Sequence, residues 1–231
     1  MGELIDLSLA IEDGMPSHAL FPSPLILRHR SHEQSREMGL GTADDPFTFA
    51  TNYISMLDHV GTHVDAPLHL GRDGASIDQV PLEWFTGTGI CLDLRHVPDL
   101  GDIDVADLEA AEQQADVRID GHIVLLCTGF HERHWPNPEV VRSNPGMTAE
   151  ATHWLADRGS RMHGVEGPST DKAQTTGFPA HRACRDRGIA HYEWLVNLER
   201  LLGQGEFHFT GLPLKWVGGT GSPVRAIAEL G

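Results

Sequence analysis

The stretch Asp58-His59-Val60-Gly61-Thr62-His63-Val64-Asp65-Ala66-Pro67-Leu68-His69 concentrates histidines and carboxylates within a short length of chain. If it runs as an extended strand, its odd-numbered positions share one face, because successive side chains of a strand point to opposite sides. The even-numbered positions are mostly apolar and can anchor in a core. Gly61, Pro67 and the β-branched residues between them disfavour a helix, and Pro67 predicts that the strand ends before His69. The polar side chains on the odd face are His59, His63, Asp65 and His69.

This set of side chains suits a metal centre. Imidazole nitrogen and carboxylate oxygen are ligands for zinc, manganese or iron, and two histidines with one carboxylate leave coordination positions for water and substrate. We therefore predict that His59, His63 and Asp65 bind a divalent metal, Zn or Mn. His69 lies beyond this ligand set and is predicted to be the catalytic group that moves protons. The alternative is a polar strand edge whose histidines are solvated, but several ligand types on one face favour the metal.

The pattern His-x-Gly-Thr-His-x-Asp-x-Pro-x-His reads in full from His59 to His69. It resembles the signature of the metal-dependent cyclase/hydrolase family that includes bacterial kynurenine formamidase and isatin hydrolase. The resemblance implies a mixed α/β chain with a swivelling β/β/α cyclase-like fold and a mixed β-sheet core, usually as a homodimer or homotetramer. It also implies that His181 and Glu193 complete the metal site and serve a second ion, with Asp65 as a bridge between one ion and the other.

The function implied by this resemblance is metal-dependent hydrolysis of an amide or formamide carbonyl, as in arylformamidase (kynurenine formamidase), with hydroxide generated at the metal as the nucleophile. Hydrolysis of an isatin-type lactam is one alternative. A polyketide-type cyclase or dehydratase that uses the metal as a Lewis acid is another. A binding protein with a closed structural metal is the alternative outside enzymes.

Aromatic side chains outside the motif are candidates for the wall of a substrate pocket. Phe21 belongs to residues 17–24, where family members often have a Trp-Pro-Gly-Asp type sequence and this chain has Ser-His-Ala-Leu-Phe-Pro-Ser-Pro. Phe130 and Trp135 follow an apolar predicted strand, and loops after strands often carry contacts. We therefore predict that Phe21, Phe130 and Trp135 bind the substrate. The polar residues 31–45 predict a mobile loop that serves as a lid or a dimer arm.

Composition narrows the class of protein. With 231 residues and 40% hydrophobic content, the chain can form one domain over residues 1–231. The formal charge of −16 disfavours nucleic acid and anionic membranes as partners, which leaves a small-molecule substrate. No apolar run approaches a membrane span, and the start of the chain lacks a secretory signal. The three cysteines show no paired spacing, so we predict buried thiols in a cytoplasmic protein.

Periodicity places the remaining elements. Two loops, at residues 164–169 and 215–223, are predicted to lie close to the pocket. The sequence does not decide whether Glu166 and Asp171 are solvated acids or part of the site. The predicted helices span residues 105–115, 147–158 and 179–187. The predicted strands span residues 4–9, 25–28, 47–57, 89–94, 122–127, 162–165, 189–196 and 206–213.

Overall fold

A mixed β-sheet forms the centre of the structure, a computed structural model that describes residues 2–18, 20–42 and 44–231. The strands are β1 (Leu4–Asp6), β2 (Leu25–Arg30), β3 (Thr51–Ser55), β4 (His63–Asp65), β5 (Thr86–Asp93), β6 (Asp102–Ile103), β7 (Ile123–Cys127), β8 (Gly146–Met147), β9 (Met162–Val165), β10 (Ala190–Glu193), β11 (Phe207–Thr210), β12 (Gly221–Pro223) and β13 (Ile227–Glu229). The α-helices are α1 (His32–Arg36), α2 (Pro67–Leu70), α3 (Val105–Ala115), α4 (Phe130–His134), α5 (Ala149–Asp157) and α6 (Pro179–Arg187).

Within the described residues, the large sheet has nine strands in the order β1-β13-β11-β5-β7-β9-β10-β4-β12. Its centre, β5-β7-β9-β10, is parallel, and both margins are antiparallel. The parallel strands are joined through helices, as crossovers between parallel strands require. The mixed α/β class and the mixed sheet predicted from the sequence are therefore confirmed.

The central strand β7 shows why the sheet is buried on both faces. Its residues are all buried, and alternate side chains enter different apolar clusters. Leu125 packs among residues such as Tyr192 and Phe209, whereas Leu126 faces α3 and α5 through residues such as Leu108. A continuous apolar strand of this kind is typical of a parallel sheet that is covered on both sides.

Several helices begin and end where local chemistry predicts. Asp104 caps α3 by accepting a hydrogen bond from the Asp107 amide, and the Asp107 side chain accepts one from the Asp104 amide. Pro179 occupies the first turn of α6, and Gly188 ends that helix with a left-handed φ of 62°. The predicted bounds of α3 and α6 agree with the structure.

The histidine-rich motif is less extended than predicted. Only β4 is a strand, because Gly61 turns the chain with φ 65° before it and Pro67 begins α2 directly after it. The strand predicted at 47–57 is also shorter, and β3 pairs with β2 in a separate two-stranded ribbon instead of joining the large sheet.

The predicted loop at 31–45 contains a short helix, α1, whose first turn is fixed by Ser31 and Gln34 in a capping box. Ala43 lies outside the described residues. In the part of the chain that is described, no helix is long and apolar enough to cross a membrane. Cys91, Cys127 and Cys184 are buried and unpaired, as predicted.

Candidate metal centre and active site

The pairing of β4 with β10 builds the floor of the site. In this antiparallel pair Asp65 lies opposite His191, and His63 lies opposite Glu193. Directly opposed residues point to the same side of a sheet. Four polar side chains therefore meet on one face, and each is almost fully buried. His59 reaches this group from the turn before β4, His69 from α2 and His181 from α6.

His63 directs its Nε2 at two carboxylates. Its Nδ1–H donates to the Gly61 carbonyl at 2.8 Å, which leaves Nε2 to hold either a proton or a metal ion. That Nε2 lies 3.3 Å from Asp65 Oδ1 and 3.6 Å from Glu193 Oε2. It is buried and has no hydrogen-bond partner among the described residues. Burial lowers the pKa of His63, but the charges of Asp65 and Glu193 outweigh it and raise that pKa, so this position favours a cation, either a proton or a metal ion.

His59 has the same arrangement, set by its neighbours in the C-terminal loop. The Thr220 hydroxyl donates to Asp58 Oδ2 at 2.7 Å, so its oxygen accepts from His59 Nε2 at 3.0 Å. The remaining nitrogen, Nδ1, lies 2.7 Å from Asp65 Oδ1. Gly221 makes room for this ring, because a Cβ there would lie 2.7 Å from His59 Cε1. The loop predicted at 215–223 is thus part of the support of the site.

His181 is oriented by a carboxylate behind it. Its Nδ1 donates to Asp171 Oδ2 at 2.5 Å. Its Nε2 lies 3.7 Å from Asp65 Oδ2 and 3.8 Å from Glu193 Oε1. Burial alone lowers the pKa of His181, but the hydrogen bonds to Asp171 and Asp65 outweigh it and raise that pKa to about 9. A carboxylate–histidine pair of this kind fixes the ring and makes it a stronger ligand.

The residues present fit a divalent metal. Asp65 is 1% exposed and Glu193 is 5% exposed, so two carboxylates lie side by side out of water. Burial would raise the pKa of Asp65, yet the surrounding imidazoles hold it well below its usual value. Buried charges of one sign are retained when they are paired or coordinate a metal. Mixed imidazole and carboxylate ligands are those of zinc, manganese and iron sites.

A cavity of about 370 Å³ opens above this floor. This volume lies within the range of small-molecule sites, roughly 300–1,000 Å³. Arg182 stands at its edge, on the exposed side of α6. The apolar walls of the cavity are formed by Leu20, Phe21, Leu70, Pro168 and Phe178.

His69 stands between the floor and the cavity. Its Nε2 lies 3.6 Å from Asp65 Oδ2, its side chain remains 31% exposed, and its ring centre is 4.2 Å from that of His59. Burial lowers the pKa of His69, and the opposing attraction of Asp65 is smaller. At neutral pH its imidazole is therefore neutral and can accept a proton.

Phe130 and Trp135 do not lie where the sequence predicted. Phe130 is fully buried as the first residue of α4 and packs with Val140 and Trp194. Trp135 contacts the edge of Trp194 at a centroid distance of 5.7 Å. The segment turns inward because the Phe130 amide donates to the buried Glu166 carboxylate at 3.2 Å. These aromatic residues form a small core cluster, and only Phe21 of the predicted trio lines the cavity.

Comparisons with known proteins agree with this arrangement. The Cyclase family model matches residues 5–172 of the chain. The chain belongs to the Cyclase family. A kynurenine formamidase from Salinibacter ruber is 31% identical over 97% of this chain and 96% of its own length. A kynurenine formamidase from Bacillus cereus is 27% identical, with 80% of this chain and 88% of the relative covered.

The fold of this Cyclase-family chain is also similar to that of solved structures. Isatin hydrolase A from Labrenzia aggregata superimposes with a TM-score of 0.83 at 25% identity, covering 99% of this chain and 93% of that one. Isatin hydrolase A from Ralstonia solanacearum gives a TM-score of 0.83 at 28% identity, with 99% and 92% covered. The swivelling β/β/α cyclase-like fold implied by the motif is confirmed.

Sequence reasoning missed several members of the site. His191 stands two positions before Glu193 in a predicted strand, so strand periodicity could have placed it on the same face. The sequence does not decide whether Asp171 is a solvated acid or a site residue, but its side chain is 1% exposed and binds His181, so it is not solvated. Glu166 is equally buried, although it lies in a different cluster of side chains. His18 also lines the cavity and carries no local signal that would mark it, and Asp58 lies in the motif but at an even-numbered position.

Proposed function

We propose that this protein is a metal-dependent hydrolase of an amide or formamide carbonyl, of the arylformamidase type. One observation carries the proposal. The hydrogen bonds of His59, His63 and His181 leave each ring with a nitrogen that faces the buried Asp65–Glu193 pair below the cavity. The relatives named kynurenine formamidase support hydrolysis of a non-peptide C–N bond as the reaction.

The ligands divide into two sets that share Asp65. His59, His63 and Asp65 would hold one ion, and Asp65, His181 and Glu193 would hold a second. We propose Zn or Mn, because imidazole and carboxylate ligands suit both metals. When bound, such a cation lowers the pKa of a coordinated water to roughly 7 and polarises a carbonyl oxygen.

His69 is the proposed catalytic residue. Its neutral imidazole faces both the ligand set and the cavity, so it can take a proton from water as the water adds to the carbonyl carbon. It then gives that proton to the leaving nitrogen when the C–N bond breaks. For a formamide the products are formate and an arylamine, and the imidazole returns to its neutral form.

The cavity favours a substrate with a flat aromatic part. Phe21 and Phe178 present rings to it, and a volume of about 370 Å³ suits one aryl group with a short side chain. Arg182 at the edge would pair with a substrate carboxylate. We therefore propose an aryl formamide of the kynurenine type as the substrate, with Phe21 in contact with it.

An isatin-type lactam is the second candidate. It has the same reacting group, an aryl-attached C–N bond next to a carbonyl, and its bicyclic plane would lie between the same aromatic walls. The structural likeness to isatin hydrolase A from two bacteria favours it specifically. Hydrolysis would open the ring and release no formate, which separates the two substrates.

Self-association is proposed from the ribbon formed by β2 and β3. Leu27 and Tyr53 are directly paired across this ribbon and are 51% and 65% exposed. An isolated two-stranded ribbon is marginally stable in water, and exposed apolar patches mark interaction surfaces. We propose a homodimer or homotetramer in which a second copy covers the ribbon.

The buried free thiols are consistent with a cytoplasmic location.

The test uses purified protein loaded with Zn²⁺ or Mn²⁺ and a panel of an aryl formamide, an isatin and an aliphatic formamide. We expect formate from the aryl formamide, and the loss of activity and of the first bound ion in His63→Ala. His96→Ala is the matched control, because His96 is exposed and pairs with Asp107 on the surface. Full activity after exhaustive chelation would reject the proposal, and ring opening of isatin alone would select the second candidate.

A further inference from the structure

His191 is a buried histidine beside the second ligand set that neither the motif nor the family resemblance assigns. Its side chain is 0% exposed. It lies on β10 directly opposite Asp65 and two residues before Glu193. Strand register therefore fixes it on the face that carries the proposed ligands, with its ring against both carboxylates.

The distances place two imidazole nitrogens around the same pair of oxygens. His191 Nε2 lies 3.2 Å from Asp65 Oδ2 and 3.2 Å from Glu193 Oε1. His181 Nε2 lies 3.7 Å and 3.8 Å from those same two oxygens. In a tetrahedral site with bonds of about 2.0–2.1 Å, ligand atoms are separated by about 3.3–3.4 Å. The observed separations are close to the edges of such a tetrahedron.

Neighbouring residues hold the His191 ring in place. His163 stacks on it with the ring centres 5.3 Å apart and the planes at 20°. His163 is itself fixed by a hydrogen bond of 2.8 Å between its Nε2 and the Thr170 hydroxyl. The sulfur of Cys184 lies within 4.8 Å of a nitrogen of each ring and offers a weak acceptor. The ring of His191 is thus packed on its face and aimed at the carboxylates.

We propose that His191 is the fourth protein ligand of the second ion, together with Asp65, His181 and Glu193. This inference rests on the proposed metal-dependent function. Four protein ligands close a site, whereas three leave a position for water or substrate. A second ion held by these four residues would have no open position, and it would order Asp65 and Glu193. The open position would belong to an ion held by the first set, His59, His63 and Asp65, beside His69 and the cavity.

A hydrogen-bonding role for His191 is the competing explanation, because an Nε2–H could donate to the same two oxygens. His191→Gln separates the two roles. Glutamine places an amide donor at similar reach and preserves a hydrogen bond, but its neutral amide is a poor ligand for zinc. His191→Phe removes both functions and retains the ring that packs on His163. The matched control is His163→Phe, which removes a buried imidazole from the same face but leaves all four proposed ligands.

The experiment measures zinc by elemental analysis after dialysis of Zn²⁺-loaded protein, and the affinity of each ion by competition with a chromogenic chelator. We expect two ions in the wild type and in His163→Phe. We expect one ion in His191→Gln and His191→Phe, with the affinity for the second ion lowered more than about 100-fold, beyond the usual effect of an outer hydrogen bond. If His191→Gln keeps two ions with an affinity within about 100-fold of wild type, His191 is not a ligand.

Two further results separate this inference from the proposed function. If the wild type binds two ions and the variants bind one, the ligand assignment stands even when no formamide is hydrolysed. If the wild type hydrolyses the formamide with only one bound ion, the reaction stands and the ligand assignment is wrong. Thermal unfolding of each variant without metal verifies its fold, and His191→Gln decides the matter when His191→Phe does not fold.

Discussion

Asp171 binds His181 with one carboxylate oxygen and caps the first turn of helix α6 with the other. Its Oδ2 accepts from His181 Nδ1 at 2.5 Å, and its Oδ1 accepts from the Ala180 amide at 2.7 Å. The same side chain therefore fixes the ring of a proposed ligand and the helix that carries it. The position of the ligand is thus tied to the fold through one buried acid.

Asp171→Asn should weaken metal binding without unfolding the protein. The asparagine oxygen can still accept from the Ala180 amide, but its NH₂ group cannot accept from His181. The expected loss is about 10–100-fold in affinity for the ion at His181, the usual effect of removing such a partner. Chelator competition measures it, with Asp186→Asn on the exposed side of α6 as the control. Unchanged affinity would show that Asp171 only caps the helix.

His69→Ala should keep its metal and lose turnover. His69 Nε2 lies 3.6 Å from Asp65 Oδ2, but we assign the first ion to His59, His63 and Asp65, so metal content should equal that of the wild type. Removing a positioned acid–base group typically costs about 10²–10⁴-fold in rate. Steady-state kinetics with an aryl formamide and elemental analysis measure the two quantities. Loss of metal together with activity would move His69 into the ligand set.

Arg182→Gln should affect anionic substrates only. Its guanidinium stands at the exposed edge of the cavity, where a charge pair contributes modestly, up to about 1 kcal/mol. For an aryl formamide with a carboxylate, KM should rise about fivefold while kcat stays unchanged. For the same formamide without the carboxylate, both constants should stay unchanged. Arg185→Gln, which alters an arginine paired with Asp186 on the same helix, is the control. An equal effect on both substrates would exclude charge recognition.

Tyr53→Glu should reduce self-association. Tyr53 and Leu27 form an exposed apolar pair on the β2–β3 ribbon, and burying a carboxylate in an interface would be unfavourable. Light scattering coupled to size exclusion should show a dimer or tetramer for the wild type and a smaller species for the variant. Val217→Glu is the control, because Val217 is 91% exposed in a different loop. A monomeric wild type at all concentrations would contradict the proposed assembly.

Elements with local signals were predicted well from the sequence. The bounds of α3 follow from the Asp104 cap, and those of α6 follow from Pro179 and Gly188. These residues act through backbone geometry and short hydrogen bonds, which depend on neighbours in the chain. The motif also identified the polar groups that meet, although the strand on which they were placed extends only over β4.

Features set by distant contacts could not be predicted from local patterns. The pairing of β4 with β10 depends on sheet order, so the contact between Asp65 and His191 is invisible in the motif. The inward position of Phe130 depends on Trp194 and on the buried carboxylate of Glu166, both far along the chain. A residue after a strand can face a cavity or a core, and only tertiary packing decides which.

Glu166 gives the protein a pH-dependent stability that is separate from the proposed site. It is 1% exposed, and its Oε2 accepts from the Thr128 amide at 2.6 Å and the Thr128 hydroxyl at 2.7 Å. Burial raises the pKa of Glu166 from 4.5 to about 7; the Thr128 hydrogen bonds oppose this shift, and Glu132 adds to it. The folded state therefore binds this proton more tightly than the unfolded state does. The contribution of protonated Glu166 to the free energy of unfolding is full below about pH 4.5 and is lost as the pH rises through 7.

Glu166→Gln should remove this pH-dependent loss of stability. The glutamine amide stays neutral at every pH, and its carbonyl oxygen can still accept from Thr128. At pH 8 the variant should exceed the wild type in free energy of unfolding, by up to about 3 kcal/mol at about 1.36 kcal/mol per pKa unit. At pH 5 the difference should be much smaller. Urea unfolding between pH 5 and pH 8 measures both, with Glu109→Gln on the surface of α3 as the control. If wild type and Glu166→Gln lose stability in parallel over this range, Glu166 is not the group responsible.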